Sequence, residues 1–126
     1  NETELSVILG EEVTGDNLIE ASRRLITRDD QTLIVTLGGE GARWVTREET
    51  ELVPAFEVEA IDTVGAGDAF NAGFSVALAE GRTRTEAVRF AAAAAAISVT
   101  RNGAVASLPK REECEEFLRQ GASRKN

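Results

Sequence analysis

The segment that most constrains the fold is Leu33–Leu37, the continuous apolar run LIVTL, which stands between a helical-period segment and a glycine-rich turn. A short unbroken run with branched side chains marks a strand covered on both faces, as in a parallel sheet flanked by helices. The flanking segments agree. Upstream, NLIEASRRLI sets Leu18, Ile19, Ser22, Leu25 and Ile26 on one helical face after the turn formers Thr14, Gly15 and Asp16. Downstream, GGEG makes a turn, ARWVT reads as the second strand of a hairpin, and TELVPAFEVEA offers more strand material that Pro54 interrupts. Strands followed by helices predict an α/β layered fold, and such folds take ligands at the carboxyl ends of their strands.

Beyond Asp62 the pattern is helical. Ala69, Phe70, Gly73, Phe74, Ala77 and Leu78 form an apolar stripe that stops at Gly81. Thr83 and Glu86 make a capping box for the next helix, which runs through AVRFAAAAAAISV. Its six alanines, Ala91 to Ala96, permit close approach of a neighbouring helix or of a flat ligand. Pro109 restarts the chain for a last helix, where Cys114, Phe117 and Leu118 share the apolar face. Cys114 reads as a small buried hydrophobe, and Glu112, Glu113, Glu115 and Glu116 as mostly solvated.

With 126 residues and 42% hydrophobic side chains, the chain can bury one modest core, which predicts a single domain. A formal charge of -8, from 14 basic and 22 acidic side chains, repels nucleic acid and anionic membrane surfaces. The apolar runs are too short for a membrane span and the start has no signal-peptide character, so a soluble, cytoplasmic protein is expected. Histidine is absent and Cys114 is alone, which excludes Ser-His and Cys-His catalysis, an internal disulfide and a cysteine-cluster metal site. Lys110 and Lys125 are the only lysines, so proton transfer falls to carboxylates.

The stretch DTVGAGDAF, Asp62 to Phe70, places such a carboxylate at a helix start. Unpaired amides there carry partial positive charge and collect phosphate oxygens. Gly65 and Gly67 remove the Cβ atoms that would keep a phosphate from the backbone. Amides of Ala66, Gly67 and Asp68 can then form an anion hole for a transferring phosphoryl group, while the Asp68 carboxylate accepts the proton of the attacking hydroxyl. On the short motif alone, Asp68 as a helix cap and the glycines as a turn explain the residues better.

The longer pattern DTVGAGDAFNAGF resembles the C-terminal signature of the ribokinase-like (PfkB) family of sugar and nucleoside kinases. Three further segments resemble that family in the same order: NETE its Asn-x-x-Glu motif, VTLGGEGARW its nucleotide-loop hairpin, and RFAAAAAAISVTRNGAVASLP the segment closing over adenine beside a monovalent-cation site. NETE and VTRNGAVASLP are most similar to the ribokinase branch. The resemblance implies a three-layer α/β/α sandwich, of which residues 1–126 are the C-terminal, nucleotide-binding and catalytic portion. It implies Asp68 as catalytic base and Gly65, Ala66 and Gly67 as the backbone anion hole, with Gly67 and Asp68 also touching the nucleotide. Asn1 and Glu4 match the motif that organises magnesium and the phosphates, largely through water; a lone carboxylate with an amide suits a cation that keeps its waters. Thr36, Gly38, Gly39 and Gly41 match positions that contact ATP, and Ala92 stands where some relatives place a nucleotide-facing histidine. Asp62, Val64, Ser98, Arg101, Gly103 and Ser107 match the largely main-chain loop that holds potassium.

Each of these has a plainer structural reading: an exposed polar chain end for NETE, a hairpin turn for the glycines, a simple turn at RNGA. No Walker A lysine follows the glycines and no G-x-G-x-x-G opens a helix, which excludes P-loop and Rossmann sites. The family's chains are more than twice this length, and the half carrying the sugar pocket and the lid, which often builds a homodimer, has no counterpart here. A piece of a complete kinase, a proteolytic or cloned fragment and a truncated gene product all account for that. The resemblance thus implies ATP, Mg2+ and K+ as cofactors and a sugar as acceptor, with fructokinase, ketodeoxygluconate kinase and adenosine kinase as alternatives to ribokinase. A non-catalytic nucleotide-binding module and an inert assembly piece with open sheet edges are the alternatives from other classes.

Overall fold

The computed structural model describes residues 1–101 and 109–120, which fall into two compact units, Asn1–Val53 and Pro54–Asn126. In the first unit, helix α1 (Glu2–Leu9) is opened by a capping box: the Asn1 side chain accepts from the Glu4 N–H, and Glu4 reaches back to the Asn1 nitrogen. Gly10, at φ 69, ends it in the left-handed conformation that glycine adopts without strain. Helix α2 (Leu18–Leu25) buries Leu18, Ala21 and Ser22. With Leu5, Val13 and Val35 the apolar members of that face form the unit's core. Leu25 and Ile19 are only partly buried and Ile26 is buried.

Strands β1 (Leu33–Thr36), β2 (Ala42–Val45) and β3 (Thr50–Val53) form one antiparallel sheet in the order β1-β2-β3. Leu33 faces Val45 and Thr36 faces Ala42, so the five residues Leu37–Gly41 turn the chain straight back. The parallel pairing expected for LIVTL is therefore not what the described residues form. A parallel neighbour needs a crossover of about a dozen residues or more, and here the glycine-rich turn delivers the next strand in the opposite direction. Nor is β1 covered throughout: Val35 is buried, Leu33 and Ile34 are half-buried and Thr36 is exposed. The hairpin partner expected in ARWVT is found as β2, and β3 ends where Pro54 removes a main-chain donor.

In the second unit, α3 (Ala66–Ala79) and α4 (Arg84–Val99) pack closely. Gly73 makes this possible, because a Cβ there would stand 3.1 Å from both the Ala91 Cα and the Ala94 Cβ. The alanine run thus has close helix packing as its structural role at Ala91 and Ala94, while Ala93 and Ala96 pack on Phe56. Helix α3 ends in a Schellman motif: Gly81, at φ 79, donates to Leu78, and Arg82 donates to Ala77. Leu78, placed on the buried stripe by its spacing, is exposed, and the stripe turns inward through Ala77 instead. The Thr83–Glu86 capping box opens α4 as expected.

Helix α5 (Arg111–Arg119) buries Cys114 against α4, with Phe117 and Leu118 packed beside it and the Phe117 ring edge-on to Phe56 at 5.1 Å. Burial pushes the Cys114 thiol up to about 11. The acidic residues of α5 are less solvated than their run suggests. Glu113 and Glu115 are half-buried, Glu113 pairing with Arg101 and Glu115 with Arg82 at 2.6 Å. Arg82 also pairs with Glu80 at 3.1 Å and lies 4.7 Å from the Phe90 ring centre. Among the described residues, no helix is long and apolar enough to cross a membrane.

Candidate functional site

The GAGD turn forms the start of α3. Gly65 is its cap residue, at φ 85, a conformation that a side chain would strain. A helix leaves its first amides without acceptors, and the local bonding shows which. The Ala66 N–H reaches the Thr63 carbonyl at 3.3 Å and the Ala69 N–H reaches Gly65 at 2.9 Å. Between them, the amides of Gly67 and Asp68 have no main-chain acceptor among the described residues. Two of the three amides expected in the anion hole are therefore free to take a ligand oxygen, and the Ala66 amide is engaged through one long bond.

Gly67 and Asp68 are both exposed. The Asp68 carboxylate forms no hydrogen bond or ion pair with another described residue, so it does not act as a side-chain cap of its own helix. A Cβ on Gly67 would meet no heavy atom within 4 Å, and its φ is not positive. Neither packing nor backbone conformation requires glycine there. Free amides, an open face and an unpartnered carboxylate within one helical turn can bind an anion and receive a proton.

The approach to this turn is tied down. Asp62 Oδ1 accepts from the Val64 N–H at 2.9 Å, and the Ile61 and Asp62 amides share the Val99 carbonyl at 2.6 and 3.0 Å. These bonds bring Asp62 and Val64 to the end of α4 that carries Ser98 and Arg101, four of the six positions expected around potassium. Gly103 and Ser107 lie outside the described residues. Ser98 is buried, and its carbonyl accepts from the Arg101 N–H at 3.1 Å. Oxygen-rich turns of this kind fit a hard monovalent cation. Ala92 is half-buried against the Phe56, Ala93 and Ala96 cluster.

The remaining predicted residues belong to the first unit. Thr36 ends β1, and Gly38 and Gly39 lie in the 3-10 turn Gly38–Glu40, all three exposed. Gly38 has φ 58 and Gly41 has φ 115 with ψ -138, so the hairpin itself demands glycine at both. Asn1 and Glu4 are exposed but engaged with one another: the Glu4 N–H donates to Asn1 Oδ1 at 2.9 Å, and the Asn1 nitrogen donates to Glu4 Oε1 at 2.6 Å. The second Glu4 oxygen suits a hydrated magnesium ion.

Sequence reasoning missed two features of these residues. An Asn-x-x-Glu spacing is itself a helix-start signal, so α1 was open to detection. The Val99 carbonyl left no signal, because any residue supplies the same oxygen. Among the surface grooves of the described residues, one of about 570 Å3 lies on α2 around Asp16, Ile19 and Arg23 and contains no predicted site residue. Another, of about 430 Å3, lies between α4 and α5 and includes Arg101 and Glu113.

Residues 1–111 match the family model described as pfkB family carbohydrate kinase. Over 94% of the chain the sequence is 42% identical to the ribokinase of Haemophilus influenzae, of which it covers 39%. The structure is similar to Thermotoga maritima ribokinase, with a TM-score of 0.82 and 44% identity, over 94% of this chain and 39% of that one. It is also similar to Arabidopsis thaliana ribokinase solved with ribose and ATP, with a TM-score of 0.76 and 33% identity, over the same shares. Other solved neighbours hold potassium, or ATP with Mg2+. The fold is that of part of the ribokinase-like α/β sandwich. The chain spans 39% of the length of the first of these relatives.

Proposed function

This chain belongs to the pfkB family of carbohydrate kinases, and from that premise we propose that it is the nucleotide-binding and catalytic portion of an ATP-dependent sugar kinase of the ribokinase type. The observation that carries the reading is the start of α3, where two amides without acceptors among the described residues share one turn with an exposed Asp68 that pairs with none of them. There the amides of Gly67 and Asp68 hold the γ-phosphoryl oxygens during in-line transfer. Asp68 takes the proton of the sugar hydroxyl at its carboxylate as that oxygen attacks phosphorus. The helix dipole adds its field to the amides.

Glu4 with Asn1 would hold magnesium through water, and Asp62, Val64, Ser98 and Arg101 would supply oxygens to potassium. Cations held there would supply positive charge against that of the phosphates and support for the loop that carries the amides. Thr36, Gly38, Gly39 and Gly41 let the hairpin backbone approach the nucleotide, and Ala92 leaves room for its base. Ribose is the acceptor best supported by the relatives.

Asp68→Asn tests the assignment. In an intact parent that phosphorylates ribose, it should lower phosphoryl transfer by about two orders of magnitude or more while calorimetry finds ATP binding retained. Transfer near the parent rate in the variant would remove Asp68 as base. The acceptor-free amides of Gly67 and Asp68, which would grip phosphate with no sugar present, also support a second reading, a nucleotide-binding module without its own catalysis. ATP binding without phosphorylation of ribose, fructose, ketodeoxygluconate or adenosine would favour it.

A further inference from the structure

The turn carrying Gly65 to Asp68 hangs from a neighbouring helix. Ile61 and Asp62 donate to the Val99 carbonyl at 2.6 and 3.0 Å, so the entry to α3 is fastened to the last turn of α4. That last turn is tightened locally, with the Thr100 hydroxyl on the Ile97 carbonyl at 2.6 Å and the Arg101 N–H on Ser98 at 3.1 Å. From its end the Arg101 guanidinium reaches α5 and pairs with Glu113, the two side chains being 32% and 38% exposed. Glu113 divides its oxygens between two tasks. Oε1 accepts from the Lys110 N–H at 2.9 Å and caps α5, while Oε2 takes the Arg101 guanidinium. Helix α5 is itself anchored by buried Cys114 and by the Glu115–Arg82 pair.

We propose that the Arg101–Glu113 ion pair is a positioning device for the GAGD turn. It braces the last turn of α4 against α5 and, through the Val99 carbonyl, sets the direction in which the amides of Gly67 and Asp68 point. The inference rests on the phosphate-gripping role given to that turn above. Half-exposed pairs add little to global stability, so the consequence of losing this one is local. Hydrogen bonds weaken steeply as they tilt, and small displacements of positioned groups cost disproportionately in transfer chemistry. Because the Ile61 and Asp62 amides both donate to the Val99 carbonyl, a tilt of that carbonyl is passed to the loop that carries the Gly67 and Asp68 amides.

Glu113→Gln isolates the effect, because glutamine keeps an oxygen for the cap and loses the charge that Arg101 needs. Site-resolved amide exchange on the protein should find Ile61 and Asp62 exchanging roughly fivefold faster or more, with Val88 and Phe90 inside α4 unchanged. In a titration with inorganic phosphate, the amide signals of Gly67 and Asp68 should report weaker binding in the variant. Arg101→Met should reproduce both changes, and the double variant should be no worse than either single one, as coupled partners require. Unchanged exchange at Ile61 and Asp62 in both single variants overturns the inference, and so does uniform acceleration throughout α4. If the parent's Gly67 and Asp68 amides ignore phosphate, the reading of the turn fails, while exchange at Ile61 and Asp62 still decides the brace.

Discussion

Replacing Gly67 with alanine sets the needs of the fold against those of the site. At the second residue of α3 an added Cβ meets nothing within 4 Å, and the backbone is not in the left-handed region. Alanine there costs no strain and restricts the unfolded chain, a gain of about 0.4–1 kcal/mol. For a chain of this size that raises Tm by roughly 2–6 °C. The same methyl occupies the open face beside the amides of Gly67 and Asp68. Losing one hydrogen bond to a charged phosphate oxygen costs about 1.5–3 kcal/mol, which is roughly 10- to 150-fold in affinity. The variant should therefore melt higher and bind ATP more weakly, a combination that general damage cannot produce. Scanning calorimetry and isothermal titration with ATP measure the two halves. A variant that melts higher and binds ATP as tightly as the parent would show that these amides hold no phosphate. A lower Tm would show that the face is not open.

Gly73→Val should do the opposite of Gly67→Ala. Contacts of 3.1 Å already await a Cβ at Ala91 and Ala94, so the larger side chain should destabilise by about 1–3 kcal/mol in urea unfolding. Arg82→Met removes two ion pairs, to Glu80 and Glu115, and the contact over Phe90. Its cost should be about 1–2 kcal/mol, falling with added salt, again read from urea midpoints. Cys114 carries a pH signature. Its folded value lies near 11, above the ordinary 9.0, so the neutral thiol favours the fold below pH 9 and that contribution drains away as pH rises toward 11. Cys114→Ala should flatten this alkaline loss in denaturation followed from pH 8 to 11.

Much of the candidate site's geometry was legible because it is local. Asp68, Gly67 and Gly65 lie within four residues, and a helix start arranges their amides with no help from distant segments. The same holds for the Thr83–Glu86 cap and the Gly81 stop, where side-chain reach and glycine's φ decide the outcome. Less legible was what each side chain gains from the rest of the molecule. Gly38 and Gly41 are needed by their own hairpin, whereas Gly67 is not, although all three are glycines in turns. Asn1 and Glu4 satisfy one another at the start of α1, a pairing that their spacing allowed but that their proposed magnesium role obscured.

By itself, the order of residues determined the inventory of reactive groups, with no histidine and carboxylates for proton transfer, together with the helix ends, the GAGD turn and the family pattern. These depend on composition or on contacts across three or four residues, where spacing and geometry are nearly the same thing. Only the tertiary structure decided that β1 is covered at Val35 and only half-buried at Leu33 and Ile34, that Leu78 faces water while Ala77 is buried, that Glu113 grips Arg101, and that Val99 holds the loop before α3. Each of these joins segments through packing or a main-chain carbonyl. An apolar run does not say how much of it will be covered, and every residue carries the same carbonyl, so the choice falls to the packed chain.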